Sequence, residues 1–344
     1  MFTNFIVGCV SWIVSALAIA WALDFAKRRN LFDAPGELKI HKHPIPRIGG
    51  AGMMAGFLTG CLFSVGLLSA KEWLGIGVVM GVGLMGLTDD LWNLGAGTRL
   101  CVQLLGGMIL GLSGWNLDLT GIPALDLAAT SVVFALFINS FNMLDGMDGL
   151  SAGVSAIAAS GLLLVFPGST FGSRIASITI AICLAMLLYN RPPASTFMGD
   201  SGSTLLGALF GLLSLECVRA LPGHSVFPPL LILAIPLADS AFAILRRLRT
   251  RQSPFLGDRR HFYDLLLGRG KSLWAILIGT YALSALFALV GCYSAENPKE
   301  SLVIAVAMSL ILLLAGYSLG SLSAADTKRM PAADIPTTHV RIES

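Results

Sequence analysis

Long apolar runs, parted by short polar stretches, repeat along the chain. Eleven segments can be read, at 4–23, 48–69, 73–88, 100–115, 124–141, 151–167, 174–189, 203–219, 227–245, 273–293 and 301–320. Runs approaching twenty residues match the thickness of a bilayer core crossed as a helix. Alternating strands of about ten residues, as a membrane barrel requires, do not occur. The pattern predicts an all-α polytopic membrane protein of about eleven helices. The shortness of 73–88 and 100–115 leaves a count of ten open.

Composition agrees. Of 344 residues, 55% are hydrophobic and 12% charged, and mean hydropathy is +0.78, whereas soluble domains carry about 25% charged residues. A net charge of +3 says little; its placement says more. With the N-terminus outside, the cytosolic segments hold six Lys/Arg in 24–47, one in 89–99, one in 190–202, eight in 246–272 and three in the tail. The outer side holds Lys71, Arg174, Arg219 and Lys299. This asymmetry predicts N-terminus outside and C-terminus cytosolic. The start has no basic region before its first apolar run, so an uncleaved helix is expected there. Residues 1–320 read as one transmembrane catalytic domain and 321–344 as a disordered cytosolic tail. The six cysteines all lie in apolar runs with no CxxC pair and read as packing residues.

Glycines recur as Gly52-x3-Gly56-x3-Gly60, Gly77-x3-Gly81, Gly107-x3-Gly111 and Gly207-x3-Gly211, a spacing that lets helix backbones approach closely. Such faces are also compatible with a homodimer. Gly95-Ala-Gly97 is no dinucleotide fingerprint, because no strand precedes it.

The acids are less ordinary. Asp89 and Asp90 end the third segment, and Asp145 and Asp148 follow the fifth. Both pairs therefore sit at helix C-termini, where the macrodipole is also negative, and a bound cation would remove the conflict. Asp200, in Phe197-Met-Gly-Asp200-Ser-Gly-Ser203, opens the eighth segment. Free amides of Gly199 to Ser203 could hold a phosphate there, beside a carboxylate able to hold a metal. Five carboxylates, oxygen ligands and basic loops on one membrane face suit Mg²⁺ or Mn²⁺ and phosphoryl transfer. Taken singly, Glu37, Asp258 or Asp264 could equally be a solvated loop charge. Asp239, inside the ninth segment, is read either as a structural partner of Arg246 or as a direct participant.

Two basic loops complete the pattern. Lys39-Ile-His41-Lys42-His43-Pro-Ile-Pro-Arg47-Ile-Gly49-Gly50 is stiffened by prolines and enters a helix through paired glycines. Arg246 to Arg260 carries six arginines, followed by His261.

Together these residues resemble the polyprenyl-phosphate N-acetylhexosamine-1-phosphate transferases, over about 30 to 270. The resemblance rests on Asp33-x-Pro35 with His41-x-x-Pro44-x-Pro46-Arg47-x-Gly-Gly50, on Asp89-Asp90 with Arg99, and on Asn142-x-x-Asp145-Gly-x-Asp148-Gly-Leu150. Met198-Gly-Asp-Ser-Gly-Ser203 and Ser253-Pro-Phe-x-x-Asp258-Arg259-x-His261 complete it. The last motif and the proline loop look like the branch acting on UDP-GlcNAc and undecaprenyl phosphate. The peptidoglycan branch typically has a histidine run in the last loop and a lysine soon after the Asp pair, where Asn93 stands here. Tyr263-Asp264 and Leu38 depart from the GlcNAc branch.

The resemblance implies transfer of a sugar-1-phosphate from a UDP-sugar to a polyprenyl phosphate, with release of UMP, at the cytosolic face of a bacterial inner membrane. It implies Asp200 and Asn142 as ligands of Mg²⁺. Asp89 and Asp90 would orient or deprotonate the lipid phosphate, and Asp145 would lie close to the reacting phosphates. It implies Arg99 on a phosphate; Asn190, Phe197, Gly146 and Asp148 around uracil and ribose; and Arg259 with His261 at the pyrophosphate. Lys42 and Arg47 join the substrate-binding set, and His261 the catalytic set. No nucleic acid partner is expected. Another UDP-hexosamine or UDP-MurNAc-pentapeptide is the nearest alternative. A transporter or flippase would need charges at mid-membrane and inverted repeats, whereas these acids gather at helix ends.

Overall fold

The computed structural model describes residues 2–29, 44–221, 225–253 and 257–322. Lys42, together with Asp33, Glu37 and His41, lies outside the described residues, as does the tail from 323 onward.

The expected helices are present: α1 (Phe2–Arg29), α2 (Gly49–Leu62), α3 (Ala70–Trp92), α4 (Ala96–Leu112), α5 (Pro123–Leu144), α6 (Leu150–Val165), α7 (Phe171–Asn190) and α8 (Gly199–Ala220). After them come α9 (Phe227–Ile232), α10 (Ala234–Arg249), the short α11 (Phe262–Gly268), α12 (Leu273–Glu296) and α13 (Ser301–Leu319). Among the described residues, seven helices are long and apolar enough to cross a membrane, and α2, α4 and α6 are shorter apolar helices.

The ninth expected segment departs from a single span: it breaks at Leu233 into α9 and α10. Pro236 has no N–H to give the carbonyl of Ile232, and a proline is tolerated only in a helix's first turn. The chain therefore restarts the helix just before it.

Local signals set the other ends. Ser69 caps α3 in a reciprocal pairing with Glu72. Asn93 ends α3 in the left-handed region and donates its amide to Asp89 O at 2.9 Å. Pro123 opens α5, where a missing N–H costs nothing.

Helix α8 is the hub, buried over almost its whole length and packed by α3, α5, α2 and α7. Phe141 of α5 stacks on Phe210 of α8 at 4.6 Å. The glycine spacing is used as expected at most sites. Gly52, Gly56 and Gly60 of α2 meet Ile19, Ser15 and Ser11 of α1, and Gly207 and Gly211 of α8 lie on Ile138 and Phe134 of α5. Gly77 and Gly81 differ: a methyl at either would meet nothing within 4 Å among the described residues. All six cysteines are free thiols, three of them buried.

Candidate active site

One end of the bundle gathers the C-termini of α3, α5 and α7 and the N-termini of α2, α6 and α8. The segment before α2 runs beside the segment before α8. Phe197 N donates to Pro46 O, Gly49 N to Phe197 O and Gly50 N to Met198 O, each at 2.9 Å. This pairs the backbones of Arg47 and Phe197. Thr196 Oγ1 adds a 2.8 Å bond to Pro46 O.

The adjacent acids Asp89 and Asp90 face different neighbours. Asp90 accepts from the amides of Asp200 at 2.8 Å and Ser201 at 2.9 Å, and so caps α8. Gly199 makes this possible: its φ is +68°, and a Cβ there would meet the Asp90 carboxylate. This corrects the expectation that the Gly199–Ser203 amides are free to hold a phosphate. Two are taken by Asp90, and Gly202 N is given to Met198 O. Asp89 is buried and accepts from Leu94 N at 2.6 Å and Arg99 Nη1 at 2.7 Å. The structure thus places Arg99 on Asp89 as its counter-ion, closing the α3–α4 turn.

From that pairing, Arg99→Ala is expected to lower stability by about 1–2 kcal/mol, because a buried carboxylate loses a half-exposed cation. Thermal unfolding in detergent measures this. A change in substrate KM at unaltered melting temperature would instead make Arg99 a phosphate ligand.

The residues expected around a metal do come together. Asn142 Nδ2 donates to Asp200 Oδ1 at 2.7 Å and to Ser203 Oγ at 3.1 Å. Asp145, at the C-cap of α5, feels the charges of Asp200, Asp90 and Asp148, with Arg47 opposing them. Burial first, then these three carboxylates, push its carboxyl well above the ordinary value. Among the described residues, no three His, Cys, Asp or Glu side chains converge on one ligating point. The donor set still fits one hard cation, because Mg²⁺ commonly takes one or two carboxylates and fills its shell with water and substrate phosphate oxygens.

Asp148 accepts from Ala194 N at 3.0 Å. Asn190 is buried, with Oδ1 accepting from Gly149 N at 2.9 Å and Nδ2 donating to Thr196 O at 3.1 Å. It binds the 145–149 turn to the 194–197 segment. Gly146 is exposed, beneath the Tyr263 ring.

The last loop is a network of charges. Asp258 Oδ2 accepts from two nitrogens of Arg246, at 2.6 and 3.1 Å, and its Oδ1 accepts from Arg247 at 3.2 Å. Burial alone would raise Asp258, but Arg246, Arg247 and His261 outweigh it and hold it below its ordinary value. His261 Nδ1 lies 2.6 Å from Asp239 Oδ2. This corrects the structural pairing expected for Asp239: Arg246 pairs with Asp258, and Asp239 pairs with His261. Arg259 reaches Asp264 at 3.3 Å. His261, 6% exposed, is enclosed by acids and not open to solvent.

Two side chains named in the motifs were given no role by the sequence. Ser203 lies one turn after Asp200, so helical spacing could have found it. Tyr263, noted in the sequence only as a departure from the GlcNAc branch, stacks on His261 at 5.5 Å and donates to Met143 O at 3.3 Å.

A polytopic helical bundle whose helix ends converge on a carboxylate, amide and guanidinium pocket defines a membrane-embedded enzyme class working on phosphate groups. Residues 73–218 match the model of glycosyl transferase family 4, and the chain belongs to that family. It is 32% identical over 337 residues to an undecaprenyl-phosphate alpha-N-acetylglucosaminyl 1-phosphate transferase of Escherichia coli O157:H7, covering 90% of this chain and 89% of the relative. A decaprenyl-phosphate N-acetylglucosaminephosphotransferase of Mycolicibacterium smegmatis is 30% identical, covering 90% and 88%. A probable undecaprenyl-phosphate N-acetylglucosaminyl 1-phosphate transferase of Bacillus subtilis is 29% identical, covering 81% and 83%.

Proposed function

We propose that this protein transfers GlcNAc-1-phosphate from UDP-GlcNAc to undecaprenyl phosphate, releasing UMP, at the cytosolic face of the bacterial inner membrane. The observation that carries the reading is the convergence of Asp90, Asp145, Asp148 and Asp200 with Asn142 and Arg47 at one end of the bundle. The names of the relatives point to the same reaction. The bias of Lys and Arg toward the segments at this end supports its cytosolic placement.

Asp200 and Asn142 would hold Mg²⁺, which when bound neutralises the charge of the diphosphate. The protein's own groups do the rest. Asp90 fixes the start of α8, and so the position of Asp200. Arg47 offers a cation among the acids. A phosphate monoester has its second pKa near ~6, so the lipid phosphate arrives largely dianionic. Asp145 is then needed to position it and control charge more than to remove a proton.

Purified protein incubated with undecaprenyl phosphate and Mg²⁺ should release UMP from UDP-GlcNAc, with UDP-GalNAc and UDP-MurNAc-pentapeptide run in parallel and the lipid product read by mass. UMP release from none of the three would reject the transferase reading. Preference for another donor would change the sugar only.

A further inference from the structure

Asp239 has no place in the reaction outlined above, yet it is among the most enclosed charges in the molecule. It sits one turn into α10, after the break at Leu233, and is 6% exposed. Its two oxygens are divided. Oδ2 takes His261 Nδ1 at 2.6 Å, and Oδ1 takes the Phe262 amide, the first of α11, at 3.1 Å. One carboxylate thus ties α10 to the last residue of the basic loop and to the first turn of the next helix. The other face of Asp239 borders a cavity of about 220 Å³ lined by apolar groups such as Phe242, Phe262, Ile276, Leu283 and Leu312. Asp239 and His261 are both buried, and a charge-assisted hydrogen bond is stronger where water is excluded.

The tie leads to the pocket. His261 stacks on Tyr263, whose hydroxyl bonds Met143 O beside Asp145. On the other side of His261, Asp258 and Arg259 carry the loop's charges.

We propose that Asp239 is a positioning residue: through His261 and the Phe262 amide it anchors the Arg259 loop and Tyr263 against the 143–146 turn, and so governs affinity for the anionic diphosphate of the donor. This rests on the transferase reading. Asp239 acts through its partners and touches no reacting atom.

The anchor has a pH signature. Asp239 of α10, Asp258 of the loop, and Asp264 and Tyr263 of α11 surround His261, with Arg246 and Arg247 bound to Asp258. Burial would lower the imidazole pKa, but Asp239 foremost, then Asp258 and Asp264, outweigh it and raise the pKa. A raised folded value means the stabilisation is complete below the free-imidazole value of about 6.5 and is lost as pH climbs through the folded value.

The test compares wild type with Asp239→Asn, His261→Gln and the double variant. Asp239→Asn should raise KM for UDP-GlcNAc about tenfold, with kcat changed less than about threefold and KM for undecaprenyl phosphate unaltered. The alkaline rise in donor KM should begin at lower pH. The double variant should be no worse than the poorer single, because both substitutions break one tie. Limited trypsin digestion without substrate should cut faster after Arg259 or Arg260 in the variants, read by fragment mass. An unchanged donor KM, a kcat loss at constant KM, or unchanged cleavage would each overturn the proposal. The digestion needs no activity, so it rules on the anchor even if wild type releases no UMP, an outcome that would overturn the transferase reading instead.

Discussion

Asp200→Asn is expected to reduce transfer by about a thousandfold or more while leaving the fold intact. The size follows from removing the carboxylate best placed to hold a divalent cation, where such charge stabilisation supplies several kcal/mol of barrier lowering. The fold should survive because the substitution removes one negative charge from a site where Asp90, Asp145 and Asp148 also crowd. Asn142 Nδ2, which donates to both Asp200 Oδ1 and Ser203 Oγ, can still donate to the amide oxygen of an asparagine at 200. Asn142→Ala should cost less, about 10- to 100-fold, as the loss of a supporting ligand does. Radiolabelled UDP-GlcNAc and a thermal melt, run together across Mg²⁺ concentrations, decide the matter. Full activity of Asp200→Asn at any Mg²⁺ level would remove this residue from the metal site.

Asp90 should behave differently from its neighbour and from Asp200. Its carboxylate satisfies the amides of Asp200 and Ser201, so Asp90→Ala strands two donors at the start of the central helix. Each such loss costs about 1–3 kcal/mol, and a lost N-cap commonly costs about 1 kcal/mol. We expect a fall of about 2–4 kcal/mol in stability. Asp90→Asn keeps one acceptor and should fall about half as far. Activity should drop by about 10- to 100-fold in Asp90→Asn, because a small displacement of Asp200 misplaces what it holds. Gly199→Ala should reproduce both effects, since a methyl there collides with the same carboxylate. Wild-type melting and turnover in Asp90→Asn would show that the cap is dispensable.

Much of this was readable before any coordinates, for a physical reason. Hydropathy declares where a chain can sit in lipid, and charges at the ends of such runs stand out against it. Asp145, Asp148, Asp200 and Asn142 were marked in that way, and they do converge. What a run of letters does not carry is direction. Asp89 and Asp90 are adjacent, yet a helix turns by about 100° per residue, so one faces the α3–α4 turn and the other faces α8. Asp239 and His261 are brought together across a loop whose course hydropathy does not describe. The break in the ninth segment did have a signal in Pro236, which the length of the apolar run outweighed. Nor does hydropathy show that Asn190 ties two pocket segments together through its buried amide.

Among the described spans, the most enclosed helix starts inside the candidate pocket. In many enzymes the site lies on loops that open well below the global unfolding free energy. Here the first turn of α8 can loosen only if the core beneath it loosens too. Amides at 202–206 should therefore be among the slowest to exchange with deuterium, although they lie beside the pocket. A donor bound at a hundred times its Kd should shift the whole melting transition, by about 2.7 kcal/mol. Thermal-shift screening in detergent thus becomes a direct readout of occupancy at this site.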